Sequence, residues 1–160
     1  MGVDARMPAE NRLKVLGIAL PEAPKPVAAY VPSVLSGPHL YVAGQIPFQH
    51  GKLLRTGKLG AEVTIEQGQE CARQCVLNAL AVAREAIGSL DRVTRVVRVG
   101  VFVASVDTFT DQPKVANGAS DLLLEVFGEQ GRHARAAVGV NVLPLDAPVE
   151  VELLLEVAPR

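Results

Sequence analysis

Apolar residues along this chain recur with one of two periods. Across residues 92–104 valines fall at every second position, Val97, Val99, Val101 and Val103, which predicts a strand with one buried face. The same alternation returns near the C-terminus on both sides of a Leu143-Pro144 break. Before it, Val138, Val140 and Val142 oppose Arg135, Gly139 and Asn141. Beyond it, Val149, Val151, Leu153, Leu155 and Val157 oppose Glu150, Glu152 and Glu156. Each half reads as a strand with one buried face. Two short apolar runs, 28–35 and 39–43, flank Ser36-Gly37-Pro38, and a turn signal between such runs predicts a hairpin.

Over residues 65–87 the period becomes helical. Ala72, Val76, Ala79, Ala83 and Ile87 form a narrow, Ala-rich stripe. Thr64 with Gln67 makes a capping box at its start, and Gly88 is its stop. A second helix is predicted over 114–127, ended by Gly128. A short amphipathic helix is predicted over 8–20, with Pro8 in its first turn and Leu13, Leu16 and Leu20 on one face. Three prolines within 21–26 make an extended linker, and residues 1–6 read as a frayed lead-in. The chain thus divides into an N-terminal extension, 1–26, and a domain, 27–160.

The order helix, ββ, α, β, α, β, β predicts an α+β domain, a mixed sheet with two helices on one face. The other face would carry Arg98, Phe102, Gly139, Asn141, Leu143 and Leu154. Such a mixture suits packing on another subunit, so an oligomer is expected. With 160 residues, about half of them apolar and no Trp, the core must be built from Val, Leu, Ala and Ile.

Charge excludes some partners. The 16 Lys and Arg nearly cancel the 17 Asp and Glu, and no block of like charge offers a footprint for nucleic acid or an anionic membrane. Arg92, Arg95 and Arg98 come nearest, but on a regular strand Arg95 points away from the other two. No apolar run approaches the roughly 20 residues that span a bilayer, and the polar N-terminus lacks a signal-peptide core. A cytoplasmic protein is expected. Cys71 and Cys75 stack on one helix face and read as small hydrophobes, while His39, His50 and His133 are too scattered for a zinc site. Gly57-Lys58-Leu59 lacks the hydroxyl residue and spacing of a phosphate loop.

The residue with most chemical promise is Arg135. Small neighbours leave its planar fork room for a bidentate carboxylate, although a strand salt bridge is the ordinary alternative.

Four separate motifs then fall into one pattern. Arg135 is followed fifteen residues later by Glu150, with Leu143-Pro144 between them. Ala43-Gly44-Gln45-Ile46-Pro47 ends the second strand, Tyr30 stands fourteen residues before Gly44, and Asn117 opens the second helix. On these motifs the chain resembles the YjgF/RidA family of reactive-intermediate deaminases over about residues 26–158, in a longer branch with an N-terminal helix.

The resemblance implies a chorismate-mutase-like fold, a homotrimer with clefts at the subunit interfaces, and strands at 135 and 150 that are not direct neighbours. It implies hydrolysis of enamines and imines of amino acids to a 2-oxo acid and ammonia, without metal or organic cofactor. In that frame Arg135 clamps the substrate carboxylate and Glu150 orients the water. Gly44 and Ala137 complete the pocket through their backbones, and Tyr30 and Asn117 line it. Each residue has a plainer alternative. Gly44 fits a bulge, Tyr30 a cross-strand packing position, Asn117 a helix cap, and Glu150 one of three solvated carboxylates with Glu152 and Glu156. Two positions depart from the family pattern: Ala137 stands where a cysteine is frequent, and Ser120 where a tyrosine is common. A non-catalytic module binding a 2-oxo or amino acid is the second reading. A ribonuclease or translation inhibitor is the third, and the charge pattern disfavours it.

Overall fold

The N-terminal end of the longest helix is fixed by the side chains the sequence singles out. Thr64 Oγ1 accepts from the Gln67 N–H at 3.2 Å, and Gln67 Oε1 accepts from the Thr64 N–H at 3.0 Å. This reciprocal pair starts α2 (Ile65–Ile87), and Gly88, at φ 87°, stops it. The computed structural model describes residues 4, 6–25 and 28–160. The division at 26/27 and most of the 1–6 lead-in therefore fall outside the described residues.

The remaining elements are α1 (Ala9–Val15), β1 (Ser33–Ser36), β2 (His39–Gln45), β3 (Phe48–Gln49), β4 (Lys52–Leu53), β5 (Val93–Ala104), α3 (Gln112–Phe127), β6 (Ala134–Val140) and β7 (Val149–Val157). Short 3-10 turns lie at Leu90–Arg92, Gly128–Gly131 and Pro144–Asp146. Five strands form one mixed sheet in the order β1-β2-β7-β5-β6, parallel only between β5 and β6. Helices α2 and α3 cover one face, so the α+β expectation holds. Strand β5 separates β6 from β7, as the resemblance implies.

Helix α2 buries more than the expected narrow stripe. Besides Ala72, Val76, Ala79, Ala83 and Ile87, it buries Gly68, Cys71, Gln74, Cys75, Asn78, Leu80, Ala81 and Val82, because sheet, α3 and loops surround it. It lies close against α3. A Cβ on Gly118 would come within 2.8 Å of the Gln69 backbone, and one on Gly68 within 3.1 Å of Val115. Both cysteines are buried. Burial pushes the Cys71 thiol up to about 11 and the Cys75 thiol well above its ordinary value, and Cys75 Sγ donates to Val149 O at 3.6 Å.

Several sequence expectations need correction. The first helix is seven residues long, because Gly17 at φ 67° ends it; Leu13 is buried, while Leu16 and Leu20 are only partly so. The first strand of the hairpin begins at Ser33, five residues later than expected. A second, small hairpin (β3, β4) was hidden by its brevity; His50 and Gly51, both at positive φ, supply its two-residue turn.

On β5 the register shifts between Val93 and Arg95 and again between Val96 and Arg98. Val96 therefore enters the core in place of Val97. The same irregularities put Arg95 and Arg98 on one face, opposite Glu156 and Leu154, rather than on opposite faces. On β6 the valines look outward. Val138 is 45% exposed and Val142, past the strand end, 63%. The inner side of β6 holds Ala137 and Gly139, where a Gly139 Cβ would meet Gln112 Nε2 at 2.8 Å and Ser105 Oγ at 2.9 Å. Gly139 thus belongs to the helix side. The open face instead carries Tyr41, Arg98, Phe102, Val138 and Leu154.

Helix α1 joins the same core through Ala9 and Leu13. Its buried Arg12, 5% exposed, donates to the carbonyls of Asp4 (2.7 Å), Met7 (3.0 Å) and Glu125 (3.4 Å). Glu125 is in the last turn of α3, where a cation also meets the negative end of the helix dipole. Arg12→Ala strips these carbonyls of their donor and empties the space of the stem. We expect about 2 kcal/mol of destabilisation, read as a Tm lowered by about 4–8 °C in thermal unfolding.

Candidate functional site

Glu150 is the second residue of β7, opposite Phe102, on the face away from the helices. Its neighbours Val149 and Val151 point into the core and fix its direction. Across from it, Ala43 and Gly44 of β2 bulge between the paired positions Val42–Leu153 and Gln45–Val151. Gln45 Nε2 donates to Ala43 O at 3.0 Å and braces the bulge. Gly44 is thus a bulge glycine, and the bulge serves a purpose: the Glu150 carboxyl lies over its Cα. A Cβ there would stand 3.0 Å from Glu150 Cδ and 3.2 Å from Cγ, with Oε1 closer still. Burial, and secondarily the Glu152 carboxylate, raise the Glu150 pKa above the ordinary carboxylate value.

Glu150 and Gly44 open into a cavity of about 400 Å³, whose wall also includes Tyr30, Ile46, Pro144 and Leu145. Tyr30 precedes β1 and is 57% exposed, so it is not a cross-strand packing residue. The far lip is a strained turn. Leu145 (φ 58°, ψ 23°) and Asp146 (φ 60°) both occupy the left-handed region, at a cost of roughly 1–2 kcal/mol per residue. The turn is held by bonds from Asp146 N to Leu143 O (3.1 Å), Ala147 N to Pro144 O (3.1 Å) and Gly57 N to Asp146 O (3.0 Å). Gly44→Ala pushes the carboxyl of Glu150 off its seat. Any turnover that uses this carboxyl should fall by about 10²-fold, the scale of an ångström-size misplacement, with melting temperature as the control for folding.

Arg135 lies elsewhere. It pairs with Val99 on β5 and projects to the helix side of the edge strand β6. Its Nη1 donates to Asn117 Oδ1 (2.9 Å) and Ser120 Oγ (3.1 Å), and its Nη2 to Pro113 O (3.3 Å), all on α3. Every acceptor is neutral. Among the described residues Arg135 makes no ion pair, so the strand salt-bridge alternative falls. Three bonds pin the guanidinium and, among the described residues, leave two of its five N–H donors, the Nε–H and one on Nη2, for a further acceptor such as a carboxylate. Asn117 sits in the second turn of α3, whose N-cap is Asp111, so it neither opens the helix nor caps it. Its amide instead orients the arginine. Ala137, two residues beyond Arg135, shares its face of β6.

The six candidate residues therefore form two groups in one chain. Tyr30, Gly44 and Glu150 meet at the cavity; Arg135, Asn117 and Ala137 meet at the edge of the helix layer. The sheet separates them. Sequence reasoning missed two residues of the second group: Ser120 Oγ lies 2.9 Å from His133 Nε2, and His133 Nδ1 lies 2.6 Å from Gly131 O. Among the described residues no three His, Cys, Asp or Glu side chains come together, and no helix is long and apolar enough to cross a membrane.

Comparison with known proteins agrees with this architecture. The family described as "YjgF/chorismate_mutase-like, putative endoribonuclease" matches residues 10–157. Protein TCP17 of Trypanosoma cruzi is 52% identical over 145 residues, 90% of this chain and 91% of its own. The 2-iminobutanoate/2-iminopropanoate deaminase of Dermatophagoides farinae is 33% identical over 138 residues, 86% of this chain and 93% of its own. The solved structure of a "putative endoribonuclease" from Shewanella oneidensis superposes with a TM-score of 0.91 at 38% identity, covering 94% of this chain and all of that one. With residues 10–157 matched by the family model and most of its length covered by relatives of 52% and 33% identity, the chain belongs to the YjgF/chorismate-mutase-like (YjgF/RidA) family.

Proposed function

We propose that the protein is a cytoplasmic hydrolase of reactive enamines and imines of amino acids, releasing a 2-oxo acid and ammonia, and that each site is completed between two subunits of a homotrimer. The observation that carries the reading is the anchoring of Arg135: a cation held only by neutral acceptors, with a carboxylate-sized fork left over. A relative at 33% identity that is named an imine deaminase supports the same chemistry. One chain keeps Arg135 and Glu150 on opposite faces of the sheet, and an edge strand beside an open face allows a second subunit to bring its Glu150 cavity to the first subunit's Arg135.

In this scheme Arg135 holds the substrate carboxylate, with Asn117 and the Ala137 backbone behind it. Tyr30 closes the side of the cavity, and the Gly44 backbone, whose missing side chain seats the Glu150 carboxyl, lines it. A water beside Glu150 adds to the imine carbon as the carboxylate takes its proton. That proton returns to the imine nitrogen to complete the carbinolamine, whose hydroxyl proton passes to nitrogen as the C–N bond breaks, leaving a 2-oxo acid and ammonia; an enamine first tautomerises to the imine. A carboxyl with a raised pKa suits both transfers, because it accepts and returns a proton more readily near neutral pH.

The test is to generate 2-aminoacrylate, or a longer enamine, in situ with a pyridoxal-phosphate lyase and follow 2-oxo acid release. Faster release with the protein present supports the reading. No acceleration across a range of side chains, from a protein that still assembles, favours a binding module for the same carboxylates. The endoribonuclease label of the family gives a third reading; RNA cleavage or salt-sensitive RNA binding by this nearly neutral chain would establish it.

A further inference from the structure

We infer that Ser120 and His133 are positioning residues that aim the Arg135 guanidinium at its carboxylate partner. This inference deepens the hydrolase reading and rests on it for the identity of the carboxylate. The polarity of the relay is forced at both ends. Gly131 O can only accept, so His133 Nδ1, at 2.6 Å, carries a proton and donates. In the neutral ring Nε2 is then an acceptor, and the Ser120 hydroxyl donates to it at 2.9 Å. With its proton committed, Ser120 Oγ presents lone pairs to Arg135 Nη1 at 3.1 Å. An arginine only donates, so each link has one direction. The neutral ring is favoured because burial, and then the neighbouring Arg135 cation, oppose its protonation, with the Gly131 bond pulling the other way.

The anchor of the relay is rigid. A Cβ on Gly131 would come within 2.8 Å of the Leu123 carbonyl carbon and 3.2 Å of Leu124 Cα, so this backbone lies directly against α3. Arg135 itself stands exposed on an edge strand with a long, flexible stem. Asn117 fixes one Nη1 hydrogen. The serine fixes the other, and together with the Nη2 bond to Pro113 O this holds the plane of the guanidinium against α3. A hydroxyl with a free rotor would hold this position only part of the time; the histidine removes that freedom.

The carboxylate of the substrate keeps its charge through the reaction, so the clamp contributes equally to ground and transition states. Its loosening should raise KM and leave kcat nearly unchanged. With the full-length protein and in situ imine, Ser120→Ala and His133→Phe should each raise KM by about ten-fold, the scale of one lost hydrogen bond to a charged group, with kcat within about two-fold of wild type. Ser120→Thr keeps the hydroxyl and should restore KM. The double variant should be no worse than either single one, since both act through one relay. Unchanged KM in Ser120→Ala, a fall in kcat alone, or additive effects would overturn the inference. Should wild type hydrolyse no imine, the hydrolase reading fails by itself, and the relay is then read from calorimetric binding of 2-oxobutanoate. A Kd raised about ten-fold in Ser120→Ala still supports the relay. An unchanged Kd, or no binding to wild type, overturns it.

Discussion

Arg135→Ala should lower kcat/KM for an imine carboxylate by about 10³-fold. The fork left by Asn117, Ser120 and Pro113 is the cationic feature around which the proposed site is built, and its acceptors are neutral. A bidentate, charge-assisted pair in a closed cleft is worth about 4 kcal/mol on truncation, and each 1.4 kcal/mol is about ten-fold. Arg135→Lys separates charge from geometry. A lysine keeps the charge but loses the planar fork and cannot hold Asn117, Ser120 and the substrate together, so the loss should be about 10- to 10²-fold. Neither change should alter stability much, because Arg135 is exposed and makes no ion pair among the described residues. Steady-state kinetics beside thermal unfolding decides the matter. Efficiency within about three-fold of wild type in the alanine variant would remove Arg135 from the mechanism.

The reason this arginine could be named from the sequence, while its supports could not, is physical. Strand periodicity and flanking small residues mark Arg135 locally, and its spacing to Leu143-Pro144 and Glu150 is a one-dimensional pattern. Helix α2 was legible for the same reason: Thr64, Gln67 and Gly88 signal through local hydrogen bonds and φ preference. What α3 gives to Arg135 depends on how a helix lies over an edge strand. Ser120 follows Asn117 by nearly one helical turn, and His133 precedes Arg135 by one strand repeat. Both spacings suggest shared faces, yet nothing local says that the faces meet. The shifts in β5 were invisible because a bulge exchanges inward and outward positions without changing composition; Val96 and Val97 are chemically equal candidates for the core. The outward-facing valines of β6 mislead for a related reason. Alternation reveals that a strand has two faces, but the apolar one can be the face left open to a partner.

Glu150→Gln should reduce kcat by about 10²–10⁴-fold with little change in KM, since the amide fills the same seat but cannot take a proton from water. Stability should move the other way. The folded chain holds the proton of Glu150 more tightly than the unfolded chain does, chiefly because of burial and then because of Glu152. A raised carboxyl contributes stability below its unfolded pKa, and that contribution is lost as pH rises through the folded value. At neutral pH the ionised group is therefore a cost, which glutamine removes, so Tm at pH 7 should be equal to or above that of wild type. The same electrostatics predict the pH profile. Wild-type kcat should fall as the medium becomes acidic, through a Glu150 pKa that burial raises above that of an ordinary glutamate. Glu152→Gln deletes the like charge and frees Arg98, which pairs with Glu152 at 3.3 Å. The acid limb should then shift to lower pH. A Glu150→Gln variant as active as wild type, or an acid limb that moves upward in Glu152→Gln, would place the proton-accepting group elsewhere. Loss of kcat with retained or raised Tm is the pattern of a carboxylate kept in an unfavourable position for its chemistry, because a merely structural Glu150 has no reason to destabilise the fold that carries it.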